Sequence, residues 1–197
     1  MQGKRPATYQ DVIDAPEHMV AELIDGELFL SPRPKGPHAT VESLLGAELI
    51  PRFWHGDGGP GGWIIIDEPE LRLGERVLVP DLAGWRAERL PEVPDYFTVA
   101  PDWVCEIASK STERLDRKKK LPTYAAAGVN HAWMIHPVLR SLQVLRRLDK
   151  HWLEVGYYLD DERIRAEPFD AVEIDLSRLW RGQPLRVSES SEYALDY

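Results

Sequence analysis

The sequence predicts an α/β fold in which helices flank a central mixed β-sheet and additional β-hairpins extend it. Short apolar runs of strand length recur along the chain, and two longer segments between them are predicted to be helical. Hairpin turn signals join several neighbouring runs. The 197 residues and the hydrophobic fraction of 43% are sufficient for one domain with a substantial core. We therefore expect residues 1–180 to form a single domain, followed by a mobile tail at 181–197.

The N-terminal segment is predicted to contain a capped helix, a tight hairpin and a longer helix. A Thr with an Asp three residues later is typical of a helix cap. Asp-Gly between two short apolar runs is the strongest local hairpin signal, because both central positions of its turn require positive φ. Apolar residues spaced by three or four positions then indicate one face of a helix. The predicted elements are a helix at 8–13, strands at 19–24 and 27–31, and a helix at 38–54.

The middle of the chain is predicted to supply strands of the central sheet. Residues 63–66 form a compact apolar run, and 71–73 and 77–85 flank Gly74-Glu75 as a further hairpin. Pro80 lies within the second of these strands and cannot donate a hydrogen bond to a β-ladder. It therefore predicts a bulge or a locally open edge beside Asp81. A polar, proline-rich connection then leads to a strand at 103–109.

The C-terminal half is predicted to contain a basic helix followed by several strands. An irregular turn is expected to about Lys118, because Pro122 is well tolerated only in the first turn of a helix. The helix proper then runs to Ala127, with Gly128 as its C-cap. Strands are predicted at 131–135, 141–148 and 151–159, short edge strands at 163–166 and 172–174, and one helical turn at 176–180.

Two predicted strands each carry one carboxylate among apolar residues, Asp81 in the first and Glu106 in the second. Successive strand side chains point to opposite faces, so each carboxylate shares its face with small apolar neighbours two residues away. An ionised carboxylate is costly there unless it is compensated, and two of them at ~4 Å repel by about 4 kcal/mol at an effective dielectric of 20. A divalent cation or a lysine removes this penalty. Oxygen ligands without a companion Cys or His favour Mg²⁺ or Mn²⁺ over zinc.

A dense basic segment follows the strand of Glu106. Five cations between Arg114 and Lys120, in a protein with a formal charge of −9, form a local footprint for anions, and nucleic acid phosphate is the obvious ligand. The alternative interpretation is that this segment is a solvated helix face that binds no ligand. Like charges at successive helical positions do not stabilise the helix. The candidate phosphate contacts are Lys110, Arg114, Arg117 and Lys118.

Other polar residues have competing interpretations. Glu22 on the first predicted strand is by default an exposed carboxylate. His38, at the start of the predicted helix, is either a phosphate or ligand contact at the mouth of a site or a solvated or capping residue. The acidic run at 67–70 is a rival metal site, but its proline and its lack of apolar flanks favour a solvated turn.

Composition limits the remaining function classes. The formal charge of −9 argues against high-affinity, sequence-indifferent DNA binding, although it permits a nuclease whose positive charge is local. Cys105, the single cysteine, is predicted to be a buried, inert thiol on the strand face opposite Glu106. No signal-peptide core is present and no run approaches the ~18 apolar residues of a membrane span, so we expect a cytoplasmic protein. Zinc spacing, a serine-hydrolase elbow and a phosphate loop are all missing from the sequence.

The order of these residues resembles the PD-(D/E)xK nuclease superfamily, and more narrowly the small bacterial restriction endonuclease family of the Uma-two type. The resemblance covers about residues 9–144 and depends on an ordered set of motifs rather than on one dipeptide. The motifs are Pro80-Asp81, Glu106, Asp116, Lys120, Tyr124 to Val129, the upstream Ala21 to Glu27, Ser31-Pro32, His38, and Trp133 to Pro137.

This resemblance implies a restriction-endonuclease-like fold and hydrolysis of phosphodiester bonds that depends on Mg²⁺ or Mn²⁺. Asp81 and Glu106 would hold the cation. Lys120 would orient the attacking water or stabilise developing negative charge. The residues expected to support the site are Glu22, His38 and Asp116.

Two departures from the superfamily pattern bear on this assignment. The usual lysine lies two residues after the acidic one, where this chain has Ala108. The narrower family places its lysine on the following helix, which fits Lys120. Lys110 stands where that family has proline, and this change alters only the loop into the helix.

The resulting hypothesis is an endonuclease that acts on nucleic acid, on DNA more than on RNA. Cleavage of both strands would need two sites and therefore a symmetric homodimer. The alternative is a non-catalytic, nuclease-like scaffold that binds nucleic acid or a protein partner, because fold analogy does not establish chemistry. Ala108 and the acidic net charge favour this alternative. The joint presence of Asp81, Glu106 and Lys120 favours the enzyme.

Overall fold

Residues 5–182 are described by the structure, which is a computed structural model. The α-helices are α1 (Tyr9–Ile13), α2 (Gly36–Leu49), α3 (Glu113–Leu115) and α4 (Leu121–Ala127). The strands are β1 (Met19–Ile24), β2 (Glu27–Pro32), β3 (Trp63–Asp67), β4 (Leu71–Leu73), β5 (Arg76–Leu78), β6 (Leu82–Arg86), β7 (Trp103–Ile107), β8 (His131–His136), β9 (Ser141–Leu148), β10 (His151–Leu159), β11 (Arg163–Ile164) and β12 (Ile174–Asp175). Of the predicted tail at 181–197, only Arg181 and Gly182 fall within the described residues, and the rest lies outside them.

Four strands form a small antiparallel sheet in the order β2-β1-β5-β4. The β1–β2 turn confirms the predicted hairpin, because Asp25 and Gly26 have positive φ values of 50° and 76°. The predicted N-terminal cap is also present, since the Thr8 N–H donates to the Asp11 carboxylate at 2.7 Å. These local elements form as near-neighbour chemistry requires.

In residues 5–182, no helix combines the length and apolar character needed to cross a membrane.

Six strands form the central sheet in the order β10-β9-β8-β7-β6-β3. Neighbouring strands are antiparallel except β7 and β8, which are parallel. The chain crosses between these two strands through α3 and α4, because parallel neighbours need a long connection. The sheet is therefore mixed and flanked by helices, as predicted.

The alternation of side chains along β7 separates two hydrophobic cores. Trp103, Cys105 and Ile107 point into the core that contains α2 side chains. Val104 belongs to the second core, which contains side chains of α4. This arrangement confirms the predicted phase of the strand. Cys105 is completely buried, and burial raises the pKa of its thiol well above the ordinary value, as expected of an inert cysteine.

The predicted strand at 77–85 is wrong in one respect, because it is two strands in different sheets. β5 ends at Leu78 in the small sheet, and β6 begins at Leu82 in the central sheet. Pro80 lies in the break between them, since it has no N–H to donate to either ladder. Asp81 consequently stands at the entrance to β6, where the two sheets meet, and not in the middle of a strand.

Both longer helical segments contain a π-helical turn next to a proline. α2 continues as a π-helical turn over Ile50–His55, and a second such turn over Asp116–Lys120 runs directly into α4. Pro51 and Pro122 each remove one backbone donor, so the hydrogen-bond ladder is rearranged there. The irregular turn predicted to end near Lys118 therefore extends to Lys120, within one continuous helical segment.

Phe169 is the centre of an aromatic cluster in the core that contains α2. Its ring centroid lies 4.7 Å from Phe53, 4.9 Å from both Trp63 and Trp103, and 5.5 Å from Trp133. The side chain is fully buried. Tilted and edge-on ring pairs at these separations add stability beyond the burial of apolar area. The segment after β11 therefore closes one face of the central sheet.

Replacement of Phe169 tests this packing. Phe169→Ala is expected to lower the free energy of unfolding by ~3–5 kcal/mol, because it leaves a cavity among large rings. Urea unfolding followed by circular dichroism measures the change. Tyr157→Ala is the matched control, since Tyr157 is 52% exposed and its loss should cost less than ~1 kcal/mol. A similarly small loss for Phe169→Ala would contradict the assigned packing.

Candidate functional site

A cavity of about 480 Å³ opens where the two sheets meet the start of α2. Many of the predicted site residues, although distant in sequence, come together here. Those that line the cavity are Glu22, His38, Asp81, Glu106, Lys110, Asp116 and Lys120. The predicted phosphate contacts that do not line it are Arg114, Arg117 and Lys118, which are exposed on the protein surface.

Lys120 is buried at the floor of the cavity, with a side chain only 5% exposed. Its ammonium nitrogen lies 2.9 Å from a Glu106 oxygen, 3.1 Å from a Glu22 oxygen and 3.0 Å from the Val79 carbonyl oxygen. Asp116, one helical turn earlier, is 3.7 Å away. Burial by itself lowers a lysine pKa, but the surrounding carboxylates outweigh it and raise the pKa of Lys120 well above its ordinary value. Lys120 therefore carries a positive charge that the carboxylates share.

Both oxygens of Glu106 are hydrogen bonded. One accepts from the Lys120 ammonium, and the other accepts from the Tyr124 hydroxyl at 2.7 Å. Burial raises the pKa of Glu106 well above its ordinary value, although the neighbouring ammonium opposes this. Tyr124 is part of one motif of the resemblance, but the resemblance assigns it no role in the site. Its spacing of four residues from Lys120, which places both on one helix face, is the signal that identifies it.

Glu22 joins the small sheet to this ion cluster. Its side chain is 3% exposed, and the same oxygen that faces Lys120 accepts the Val79 N–H at 2.9 Å. The default expectation of an exposed strand carboxylate is therefore wrong, because β1 turns this residue toward the cavity. Asp116 is also buried, and burial raises the pKa of its carboxyl to about 6.

Asp81 is held at the cavity wall by the main chain and by His38. One carboxylate oxygen accepts the Ile107 N–H at 2.5 Å, and the other lies 3.2 Å from Nε2 of His38. His38 comes from the first turn of α2, and its side chain is 12% exposed. Burial lowers its pKa, but the hydrogen bond to Asp81 and the nearby carboxylates raise the pKa of His38 overall. His38 is thus part of the site wall, and its interpretation as a solvated residue is wrong.

Glu42 completes a cluster that the sequence pattern did not identify. It lies one helical turn after His38, and its carboxylate is 3.9 Å from Nδ1 of that histidine. Burial, followed by the charges of Asp81 and Glu68, raises the pKa of Glu42 to about 7. Within residues 5–182, His38, Glu42 and Asp81 are the group whose metal-ligating atoms all lie within 4.8 Å of one another. The His-x-x-x-Glu spacing in a predicted helix is the signal that points to this pair.

This donor set fits a divalent cation. Ligands on opposite sides of an Mg²⁺ ion at ~2.1 Å lie ~4.2 Å apart, so the cluster is only slightly wider than a bound cation requires. Nδ1 of His38 is buried and has no hydrogen-bond partner among the described residues. The expectation that no histidine accompanies the carboxylates is therefore wrong, because the fold brings His38 to Asp81. The preference for Mg²⁺ or Mn²⁺ over zinc depended on the absence of a histidine and no longer holds, because imidazole suits Zn²⁺ whereas carboxylates suit Mg²⁺ and Mn²⁺.

Positive charge at the rim of the cavity comes partly from residues that the sequence pattern did not single out. Lys110, one of the predicted phosphate contacts, lines the cavity, and Arg33 and Lys35 join it from the loop before α2. Arg117 instead pairs with Glu113 at 3.0 Å on the outer surface. No local pattern marks Arg33 or Lys35, because their position depends on how one loop packs against distant elements.

The rival acidic run at 67–70 is not the solvated turn that its sequence favours, because Asp67 ends β3 and Glu68, in the bend that follows, lines the cavity. Glu68 adopts a positive φ of 43° and lies 3.5 Å from Arg33. Glu70 pairs with Arg72 at 2.6 Å. Each of these carboxylates thus has its own arginine, and the run does not form a convergent metal cluster among the described residues.

A solved structure has the same fold. It is a "putative nuclease belonging to DUF820" from Anabaena variabilis, with a TM-score of 0.68 and 21% sequence identity, over 89% of this chain and 98% of that chain. A likeness at this identity establishes the fold, and it confirms the predicted restriction-endonuclease-like α/β architecture. A comparison with curated proteins found no match.

The family assignment follows from a match along most of the chain. Residues 6–177 match the model of the Uma2 family, whose description is "Putative restriction endonuclease". That range includes all the cavity residues named above. It also confirms the resemblance on which the sequence-based expectations depended. The chain therefore belongs to the Uma2 family.

Proposed function

We propose that this protein is a metal-dependent endonuclease that hydrolyses phosphodiester bonds in nucleic acid, with DNA favoured over RNA. The observation that carries the proposal is that Asp81, Glu106 and Lys120 line one cavity. The family description as a restriction endonuclease supports a DNA substrate. In this reaction a water oxygen bonds to phosphorus, one phosphorus–oxygen ester bond breaks, and the leaving sugar oxygen takes up a proton.

The charge balance around the cavity supports a cation site. Lys120 lies close to three carboxylates of the cavity, and His38 lies close to two more. The carboxylates are Glu22, Glu42, Asp81, Glu106 and Asp116. Carboxylates in excess of nearby cations are costly in a site of low dielectric, so additional positive charge is favoured there. We infer that Asp81 and Glu106 are the principal ligands, as the resemblance implies, and that His38 and Glu42 add ligands from α2. Asp81 belongs to the compact group with His38 and Glu42, and Glu106 lies outside that group.

Both principal carboxylates are oriented before a substrate arrives. When bound, the cation polarises the phosphodiester and lowers the pKa of a coordinated water. The Ile107 N–H fixes one oxygen of Asp81 and leaves the other directed toward His38. Lys120 and Tyr124 fix Glu106, and each of its oxygens keeps a second lone pair for a ligand. Such preorganisation reduces the rearrangement that the reaction requires.

Lys120 is proposed to act in two ways. Three oxygens within 3.1 Å match its three N–H bonds, so its first role is to position Glu106 and Glu22. To reach a phosphate oxygen, the ammonium must exchange one of these three partners for it. The Val79 carbonyl is the only uncharged oxygen among the three. In that position the ammonium stabilises the negative charge that develops on the phosphoryl group.

A non-catalytic scaffold is the second candidate function. It is favoured by the saturated hydrogen bonding of Lys120 and by Ala108 at the usual lysine position of the superfamily. In that case the protein would bind nucleic acid or a protein partner without cutting it. A nuclease assay over a range of Mn²⁺ concentrations separates the two candidates, because a scaffold produces no cleavage product at any concentration.

Asp81→Asn tests the enzyme directly. This change removes the charge but keeps an oxygen that can accept the Ile107 N–H. Mn²⁺-dependent cleavage is expected to fall by ~100-fold or more. Mn²⁺ affinity, measured by isothermal titration, is expected to fall by at least ~10-fold. Glu27→Gln is the matched control, since Glu27 is 62% exposed and lies outside the cavity. Normal cleavage by a folded Asp81→Asn variant would falsify the assignment.

Lys120→Met tests the ion cluster. The loss of one partner leaves buried carboxylates uncompensated, so the free energy of unfolding should fall by ~3–5 kcal/mol at pH 7. The cost should be smaller at pH 5. The pKa values of Glu106 and Asp116 are higher in the folded protein than in the unfolded chain, so these groups bind protons in the folded protein first as the pH falls. A protonated carboxyl no longer needs a cation beside it. Urea unfolding at both pH values measures this.

A second substitution serves as the control for this variant. Lys120→Met with Glu106→Gln removes a charge of each sign, and it is expected to recover part of the lost stability at pH 7 while cleavage remains absent. An equal cost for Lys120→Met at pH 5 and pH 7 would show that the carboxylates are not responsible.

Glu42→Gln tests the ligands from α2. The folded pKa of Glu42 is raised to about 7, so its contribution to stability is lost as the pH rises from about 4.5 through 7. At pH 8 in EDTA, the free energy of unfolding of the variant should therefore be ~1–3 kcal/mol higher than that of the wild type. At pH 4 the two proteins should have equal free energies of unfolding. It should also bind Mn²⁺ more weakly than the wild type. Unchanged Mn²⁺ affinity would exclude Glu42 from the ligand set.

A further inference from the structure

We propose that the cavity takes an unpaired strand of nucleic acid, and that an intact duplex is a poor substrate. This inference rests on the proposed nuclease function and specifies its substrate class. The first observation is the burial of the reactive groups. Glu106 is 2% exposed and Lys120 is 4% exposed. A phosphodiester must therefore enter the cavity to meet these groups, and a flexible unpaired strand bends into a cavity more readily than a stiff duplex does.

The size of the cavity supports the same conclusion. Its volume of about 480 Å³ is in the range of pockets that enclose one small molecule, which is ~300–1,000 Å³. One nucleotide with its phosphate is a ligand of this class. A segment of duplex is much larger, and its paired bases hold the phosphates on the outside of a wide helix. A duplex is also stiff, so one of its phosphates could reach the buried Lys120 only if the helix were distorted locally.

The cavity walls have the chemistry of an unpaired strand. Apolar side chains surround the polar floor, and they come from β1, the end of β2, the start of α2 and the loops before α2 and after β8. These residues are Val20, Pro32, Pro34, Pro37, Pro137 and Val138. Contact with such side chains removes the apolar surface of unpaired bases and sugars from water, whereas a duplex keeps its base faces stacked inside. Apolar walls would gain little contact area from the phosphate-covered exterior of a duplex.

The positive charge at the rim is small in extent. Arg33, Lys35 and Lys110 are the cations there, and Arg33 also lies 3.5 Å from Glu68. A duplex-binding surface that makes ~6–10 phosphate contacts needs a comparable number of cations, whereas the chain as a whole carries a formal charge of −9. Three rim cations match a short unpaired segment. For a single strand, three contacts predict a slope of about −2 in a plot of log affinity against log salt concentration.

The experiment compares one sequence in three forms, using the full chain. The substrates are a single-stranded oligonucleotide, its blunt duplex, and a duplex with an unpaired overhang. Affinity is measured by fluorescence anisotropy with Ca²⁺ in place of Mn²⁺, over a range of salt concentrations, and cleavage is measured with Mn²⁺. We expect the single strand to bind and to be cut at least ~10-fold better than the duplex. Cuts in the third substrate should lie in the overhang.

Each other outcome overturns the inference in a recognisable way. Equal or better binding and cutting of the blunt duplex would refute the unpaired-strand preference while leaving the proposed nuclease function intact. Failure to bind and to cut all three substrates would refute both. A single-strand salt slope steeper than about −5 would indicate an extended phosphate footprint that three rim cations cannot supply.

Charge-reversal variants locate the contacting cations. Lys35→Glu and Lys110→Glu are each expected to weaken single-strand binding by ~3- to 10-fold and to reduce the salt slope by about 0.7. Lys150→Glu is the matched control, because Lys150 lies in the β9–β10 turn, away from the cavity, and should leave binding unchanged. Lys118→Glu is the discriminating variant. A loss as large as that of Lys35→Glu would place the strand along the outer face of the basic helical segment and overturn the inference.

Discussion

The ion cluster around one buried lysine is the constraint on which the rest of the structure depends. Removing an ammonium and a carboxylate from water costs several kcal/mol per ion, and only close pairing offsets that cost. Lys120 provides such pairing to Glu22 on β1 and to Glu106 on β7. It therefore ties the small sheet, the central sheet and the helical segment before α4 to one point. The cavity lies at that point because all three elements contribute to its floor.

The break in the chain at Pro80 follows from the same arrangement. A continuous strand could not belong to both sheets, so the strand must be interrupted where they meet. Proline fits this junction because it has no N–H to donate to a β-ladder. The backbone groups freed there are used by the site. The Val79 N–H donates to Glu22, the Val79 carbonyl accepts from Lys120, and the adjacent Asp81 carboxylate accepts from Ile107. An irregularity of the sheet thus orients the acidic residue beside it.

The site combines strong internal pairing with an unrelieved excess of negative charge. Lys120 offsets only part of the charge of the three carboxylates around it. Glu42, whose pKa is raised to about 7, faces Asp81 with His38 as the basic neighbour of both. Groups with such perturbed ionisation are concentrated at functional sites, where the unfavourable charge is relieved by a ligand. Ionised Glu42 therefore lowers the stability of the ligand-free protein but favours the binding of a cation. The acidic net charge of the chain is compatible with this because the cations are local to the rim.

The sequence by itself determined the local elements, the faces of β7 and the carboxylates of the family motif. Turn chemistry at Asp25-Gly26 and the alternation around Glu106 depend on near neighbours, so a local pattern specifies them. Only the tertiary structure decided that Glu42 joins Asp81 and that Lys35 faces the cavity. It also decided that β5 and β6 belong to different sheets. These features depend on distances between segments that are far apart in the chain, and such distances are set by the packing of whole elements.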